Sequence, residues 1–90
     1  MARTRFAAVL GQVVKRRREA VPMSQEALAA AADIHRTHVG FVERGERGVT
    51  VDVALQLATA LGIPLTELIA EAEAEYHGTS ARTTKPRRNR

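Results

Sequence analysis

The chain has no cysteine and no tryptophan, and one tyrosine and two phenylalanines are its only aromatic residues. Lack of cysteine excludes disulfides, thiolate zinc sites and thiol catalysis, and suits a reducing cytoplasm. Lack of aromatics leaves the core to Ala, Val, Leu and Ile within a hydrophobic content of 44%. Such a composition favours helices over sheets. Long apolar runs are missing too. The opening "MARTRFAAVLGQVVKRRR" becomes charged too soon for a secretory core or a membrane span. The expectation is a soluble cytoplasmic protein that does not engage a membrane, with one small domain in its 90 residues.

Acidic charge is scarce except in one place. Residues 1–66 carry nine Lys/Arg against six Asp/Glu, residues 67–75 carry four Glu and no cation, and residues 82–90 carry five cations and no acid. The net charge is +4 and the isoelectric point is near 10.7. A basic balance of this kind on a small chain points to a polyanionic partner.

Apolar residues recur at spacings of three and four, which predicts helices. Phe6, Val9, Leu10, Val13 and Val14 form one stripe on a first helix over about residues 4–20. Val21 and Pro22 end it, because proline disfavours helix at the residue before it. Ser24 caps an alanine-rich second helix over about 24–32. A third helix spans about 35–44, with Ile34, Val39 and Val42 turned inward and Gly45 just past its end. Thr50 caps a fourth over 51–62, where Val53, Leu57, Ala60 and Leu61 share a face and Gly62 closes the end. The fifth, over 65–76, carries Leu65, Leu68, Ile69, Ala72 and Tyr76 on one face. Leu65 and Leu68 are expected to finish the core, which leaves Ile69, Ala72 and Tyr76 for a second copy of the chain. The expected architecture is all-α, a single domain over 1–76 followed by a disordered basic tail over 77–90.

Two short helices joined by a tight turn carry the functional signal. Ala29 suits a close crossing near 90–120° because a longer side chain would not fit there. One face of the third helix is then left free: His35, Arg36, Thr37, His38, Phe41 and Arg44. A helix fits the DNA major groove and reads bases with residues near its N-terminus. Its first turn also offers backbone N–H groups to phosphate.

These segments resemble the Cro/cI-like, lambda-repressor-like helix-turn-helix DNA-binding family. "LGQVVKRRRE" is similar to the family's first helix, "MSQEALA" to the opening of its second, "IHRTHVGFVERGERG" to its recognition helix and turn, and "TVDVALQLATALGIPLTELI" to its fourth and fifth helices. The resemblance covers about residues 7–70 and implies a five-helix bundle that binds double-stranded operator DNA as a homodimer. By position it implies that Arg36, Thr37 and Phe41 read bases. It implies phosphate or backbone contacts for Gln25, Arg44, the Gly45 N–H and Arg47, and a phosphate or flanking-base contact for His38. His35 reads more simply as an N-cap or phosphate neighbour. It also implies a partly buried ion pair between Arg18 and Glu43. Four residues depart from the pattern. Asp33 stands where the turn prefers Gly, and Arg17 where a core Leu is common, so that the first helix should pack less tightly. Gly40 lies inside the recognition helix and would allow close approach to DNA. Phe41 replaces a polar reader and would suit a thymine methyl group.

Competing readings of the same residues are weaker. His35 and His38 lie three apart, but no third ligand stands nearby, so no metal is expected. No nucleophile has an activating base, so no catalysis and no cofactor is expected. The Lys15–Arg18 run and the acidic residues 71–75 read as solvated faces, with Arg18 alone set apart by the family match. The expected function is a dimeric transcriptional repressor or autoregulator without a domain for a small-molecule ligand. The alternative is an antitoxin or adaptor on the same fold, whose partner is a toxin or another regulator.

Overall fold

The computed structural model describes residues 5–78. The remaining residues of the basic tail, 79–90, lie outside the described residues, as do 1–4. Within that range run five helices: α1 Phe6–Ala20, α2 Gln25–Ala32, α3 Arg36–Arg44, α4 Val51–Ala60 and α5 Leu65–Tyr76.

Three of the five starts carry a side-chain cap, those of α2, α3 and α4. The Ser24 hydroxyl accepts from the Ala27 N–H at 2.9 Å, and the Thr50 hydroxyl accepts from the Val53 N–H at 3.1 Å. Such caps satisfy a donor that the first turn leaves without a partner. His35 does the same for α3 with its ring, Nδ1 accepting from the Thr37 N–H at 3.1 Å. Left-handed residues terminate α2 and α3, with Asp33 at φ 60° and Gly45 at φ 70°. Asp33 adopts this conformation without being glycine, as a short polar side chain can.

The core is built almost wholly from Val, Leu and Ala. Val13, Val14, Leu28, Val39, Val42, Leu57 and Leu68 are fully buried, with Ala29, Ala32, Ala58 and Ala72 filling the gaps. Ala72 was expected at the interface with a second copy. It is instead 0% exposed, enclosed within one protomer. It lies four residues after Leu68 on the same stripe, and a small residue there lets α5 close on the core.

Two glycines on the α1–α3 side mark close approaches. A Cβ on Gly11 would collide with the Val42 carbonyl oxygen of α3. A Cβ on Gly45 would stand 2.8 Å from the Ala8 Cα. The first helix therefore lies with its backbone against the C-terminal half of α3.

Charged side chains clasp α1 to α5. Arg17 Nε donates to Glu71 Oε1 at 2.6 Å and Arg17 Nη2 to Glu67 Oε2 at 3.0 Å. Arg16 reaches Glu71 at 2.8 Å and Glu75 at 3.3 Å. Arg17 was expected to loosen α1 where a leucine is common. It replaces that contact with two carboxylates of α5. The cationic and acidic runs that read as solvated faces are thus turned toward each other. The Arg16 hydrogen bond, with that of Arg17 behind it, holds the Glu71 carboxyl below the usual carboxylate range against the opposing effect of desolvation.

Gly11→Ala is expected to destabilise the domain by about 1–3 kcal/mol or more through overpacking, measured by urea denaturation; a neutral result would show that the helices part freely. Glu71 is more acidic folded than unfolded, so its stabilisation is complete above the ordinary carboxylate pKa of about 4.3. It is lost as pH falls through the depressed folded value. Glu71→Gln should therefore lower the Tm at neutral pH and flatten its acid dependence. An acid profile identical to the parent's would count against the clasp.

Candidate nucleic-acid interface

The free face of α3 is held from behind by one buried carboxylate. Glu43 has a side chain only 2% exposed, against 11% for Arg18. Arg18 Nε donates to Glu43 Oε2 at 2.6 Å and Nη2 to Oε1 at 3.1 Å, a bidentate pair. Gln25 Nε2 adds a third donor to Oε1 at 3.0 Å. The remaining Arg18 Nη1 donates to the Met23 carbonyl at 2.8 Å. One arginine therefore ties α1, the link before α2 and α3 together. A charge-assisted bidentate pair fixes orientation as well as distance.

Outward from this lock, Arg36 and Thr37 are exposed in the first turn of α3, His38 and Phe41 are half-buried, and Arg44 and Arg47 are exposed near its end. The expected readers Arg36, Thr37 and Phe41 share a surface with Arg44, because positions 37, 41 and 44 and positions 36, 40 and 44 recur at helical spacing. Arg36 Nη1 is bonded to Glu26 Oε2 of α2 at 2.9 Å, and Arg44 Nε to Glu46 Oε2 at 2.7 Å. The Arg44 hydrogen bond holds the Glu46 carboxyl below its ordinary pKa. The Phe41 ring has the Arg47 Cζ at 4.5 Å from its centroid and the Arg44 Cζ at 5.5 Å.

Two expectations for this face need correction. The Gly45 N–H was expected to grip the DNA backbone. Gly45 is buried, its N–H donates to the Val42 carbonyl at 3.0 Å, and its own carbonyl accepts from Arg5 Nη2 at 2.7 Å. A left-handed cap uses its N–H to satisfy the last carbonyls of its own helix. Gly40 was expected to let a backbone approach. Its open face is covered by its own chain: a Cβ there would meet the Arg44 guanidinium at 3.1 Å.

The sequence reading missed Arg5, Glu26, Glu46 and Gln56, whose amide donates to the Ala32 carbonyl at 2.9 Å and fixes the end of α2. For Glu46 a signal existed, since it stands between Arg44 and Arg47, whereas Glu26 meets Arg36 from ten residues away on another helix. Among the described residues, no group of three or more His, Cys, Asp or Glu is placed to hold a metal ion.

A second apolar surface lies on another side. Phe6, Leu10, Val49, Val51, Leu65 and Ile69 line a cleft of about 220 Å³. Val51 in its wall is 76% exposed, and Leu55 on α4 is 49% exposed. Of the residues expected at a dimer interface, Ile69 is half-buried in this cleft. Tyr76 is partly exposed and edge-on to Phe6 at 5.4 Å.

Arg18→Ala would strand the Glu43 carboxylate. The expected loss is about 3–5 kcal/mol of stability, measured by chemical denaturation, together with loss of the defined α3 orientation in amide NMR spectra. A loss below about 1 kcal/mol would mean that water replaces the arginine freely.

A model of the helix-turn-helix family matches residues 14–68. The control protein C.MunI of Mycoplasma sp is 38% identical over 61 residues, which span 68% of this chain and 82% of that protein. The crystal structure of the restriction-modification controller protein C.AhdI from Aeromonas hydrophila aligns with a TM-score of 0.67 at 44% identity, covering 69% of this chain and 94% of that one. C.Esp1396I bound to a 25 base pair operator site shares the fold, with a TM-score of 0.69 at 22% identity over 79% of this chain and 97% of that one. With the family model matching more than half the chain and a control protein related along most of its length, this protein belongs to the helix-turn-helix family of control proteins.

Proposed function

We propose that the protein is a DNA-binding transcriptional regulator, a controller of the C.AhdI kind, that reads palindromic operator DNA as a homodimer. The observation that carries this reading is the exposed Arg36–Thr37 turn of α3, backed by the buried Arg18–Glu43–Gln25 cluster. A rigid helix with polar, cationic residues at its N-terminal end is what the major groove admits.

Roles follow from position. Arg36 and Thr37 contact base edges in the groove. Gln25, His35, His38, Arg44 and Arg47 lie around that contact and meet phosphates, with the cations supplying most of the sequence-independent affinity. Arg36 leaves Glu26 on binding, an exchange of one exposed partner for another that costs little. The second copy docks on the apolar face of Val51, Leu55, Leu65 and Ile69, with Tyr76 at its rim. Two-fold symmetry then sets two α3 helices about one DNA turn apart, roughly 34 Å.

Selection of bound fragments from a random DNA pool tests the reading directly, with a palindromic consensus expected. Affinity for that consensus should fall by ~10³–10⁵ between about 50 and 200 mM salt if the dimer meets ~6–10 phosphates. Arg36→Ala should relax preference at one base pair by ~1–3 kcal/mol, whereas Arg47→Ala should weaken all sequences alike. No enriched motif, or a flat salt dependence, would reject the reading.

A further inference from the structure

We infer that Phe41 is a positioning residue whose ring sets two arginines, Arg44 and Arg47, for the DNA backbone, and that it does not read a base. The inference rests on the DNA-binding reading above and departs from the thymine-methyl contact that its place on α3 implies.

The ring is already occupied in the free protein. Arg47 lies with its Cζ 4.5 Å from the ring centroid and Arg44 with its Cζ at 5.5 Å. Both separations fall within the range in which a ring quadrupole attracts a guanidinium. Two cations drawn to one ring repel each other, and Glu46 offsets that repulsion by accepting from Arg44 Nε at 2.7 Å. Gly40 contributes space. The Arg44 guanidinium lies over it, 3.1 Å from where a Cβ would stand, so that any other residue would press on this arrangement. A glycine inside a helix is otherwise a cost in backbone entropy, and here it clears the ground for Arg44. Three neighbouring residues, Phe41, Glu46 and Gly40, therefore bear on these cations.

The chemistry favours phosphate as the ligand of this set. Arg44 and Arg47 stand at the C-terminal end of α3 and in the turn beyond it, whereas a recognition helix contacts bases near its N-terminus. A guanidinium over a ring directs its N–H edge sideways to an anion in the plane of the fork; at Arg44, where Nε donates to Glu46, the Nη groups serve. Holding two such forks in place before binding removes rotamer freedom that would otherwise be lost on the DNA.

The test compares Phe41→Leu, which keeps an apolar contact but has no ring quadrupole, with Phe41→Tyr, which keeps both. Arg47 side-chain proton shifts are read first, in free protein. The parent and Phe41→Tyr should show upfield ring-current shifts on the Arg47 methylenes, and Phe41→Leu should not. Operator binding is read second. Phe41→Leu should weaken the selected operator and unrelated DNA by the same factor, about fivefold per protomer, with the consensus unchanged and the salt slope shallower. Phe41→Tyr should restore both. Adding Arg47→Ala to Phe41→Leu should weaken binding less than the product of the single effects. If Phe41→Leu melts below the assay temperature, Phe41→Met serves in its place. Loss of preference at one base pair with affinity elsewhere intact would overturn the inference, as would strictly multiplicative effects or unshifted Arg47 protons in the parent. Failure of the parent to select any DNA would instead reject the DNA-binding reading, and the free-protein shifts would still judge the stacking.

Discussion

A buried carboxylate is tolerated only when its charge is met, and the organisation of this domain follows from how Glu43 meets that demand. An unpaired charge in that position would take up a large share of a typical domain's stability margin. Three donors converge on it from two other helices. Hydrophobic packing of Val39 and Val42 alone would press α3 against the core while leaving its rotation poorly determined. The forked geometry of Arg18 and the amide of Gln25 restrict rotation, because their hydrogen bonds lengthen at once if the helix turns. The pair therefore contributes orientation more than net stability, as buried ion pairs can.

That requirement shapes α1. Arg18 must reach Glu43 from the last turn of a helix lying almost in backbone contact with α3, and Gly11 and Ala8 provide that contact upstream. The preceding residues Arg16 and Arg17 lie around the helix from Arg18 and so face α5, where the acidic charge of the described chain is concentrated. A single helical turn thus holds α3 on one side and α5 on the other. The two attachments differ in kind. Glu43 is sheltered from water, whereas the carboxylates of α5 are between 27% and 50% exposed and subject to screening by salt.

Local features of this arrangement were legible in the sequence. Ser24, Thr50 and Gly45 act within three or four residues, and the apolar stripes obey helical period. The Arg18–Glu43 contact was legible only through family resemblance, since nothing in either segment alone singles out that partner. The Arg16 and Arg17 bonds to α5 were not legible. Their partners lie 50 or more residues away, and each run by itself has the pattern of a solvated helix face. Ala72 was misplaced for a related reason. Periodicity assigns it to the apolar face of α5, but whether α1 or a second copy covers that face depends on how closely the helices approach. Gly45 was misread because its left-handed conformation, itself foreseeable, already commits the N–H group that was assigned to DNA.

The division of α3 into a held face and a free face has a further consequence for how such a protein can diversify. Val39, Val42 and Glu43 carry its attachment, while Arg36, Thr37, Phe41 and Arg44 contribute little to the core. Changes of preference and changes of stability therefore fall on separate residues. A lineage can exchange Arg36 and Thr37 one at a time, acquiring a new target site while the scaffold beneath stays foldable. The lock at Glu43 can change only if two or three partners change together.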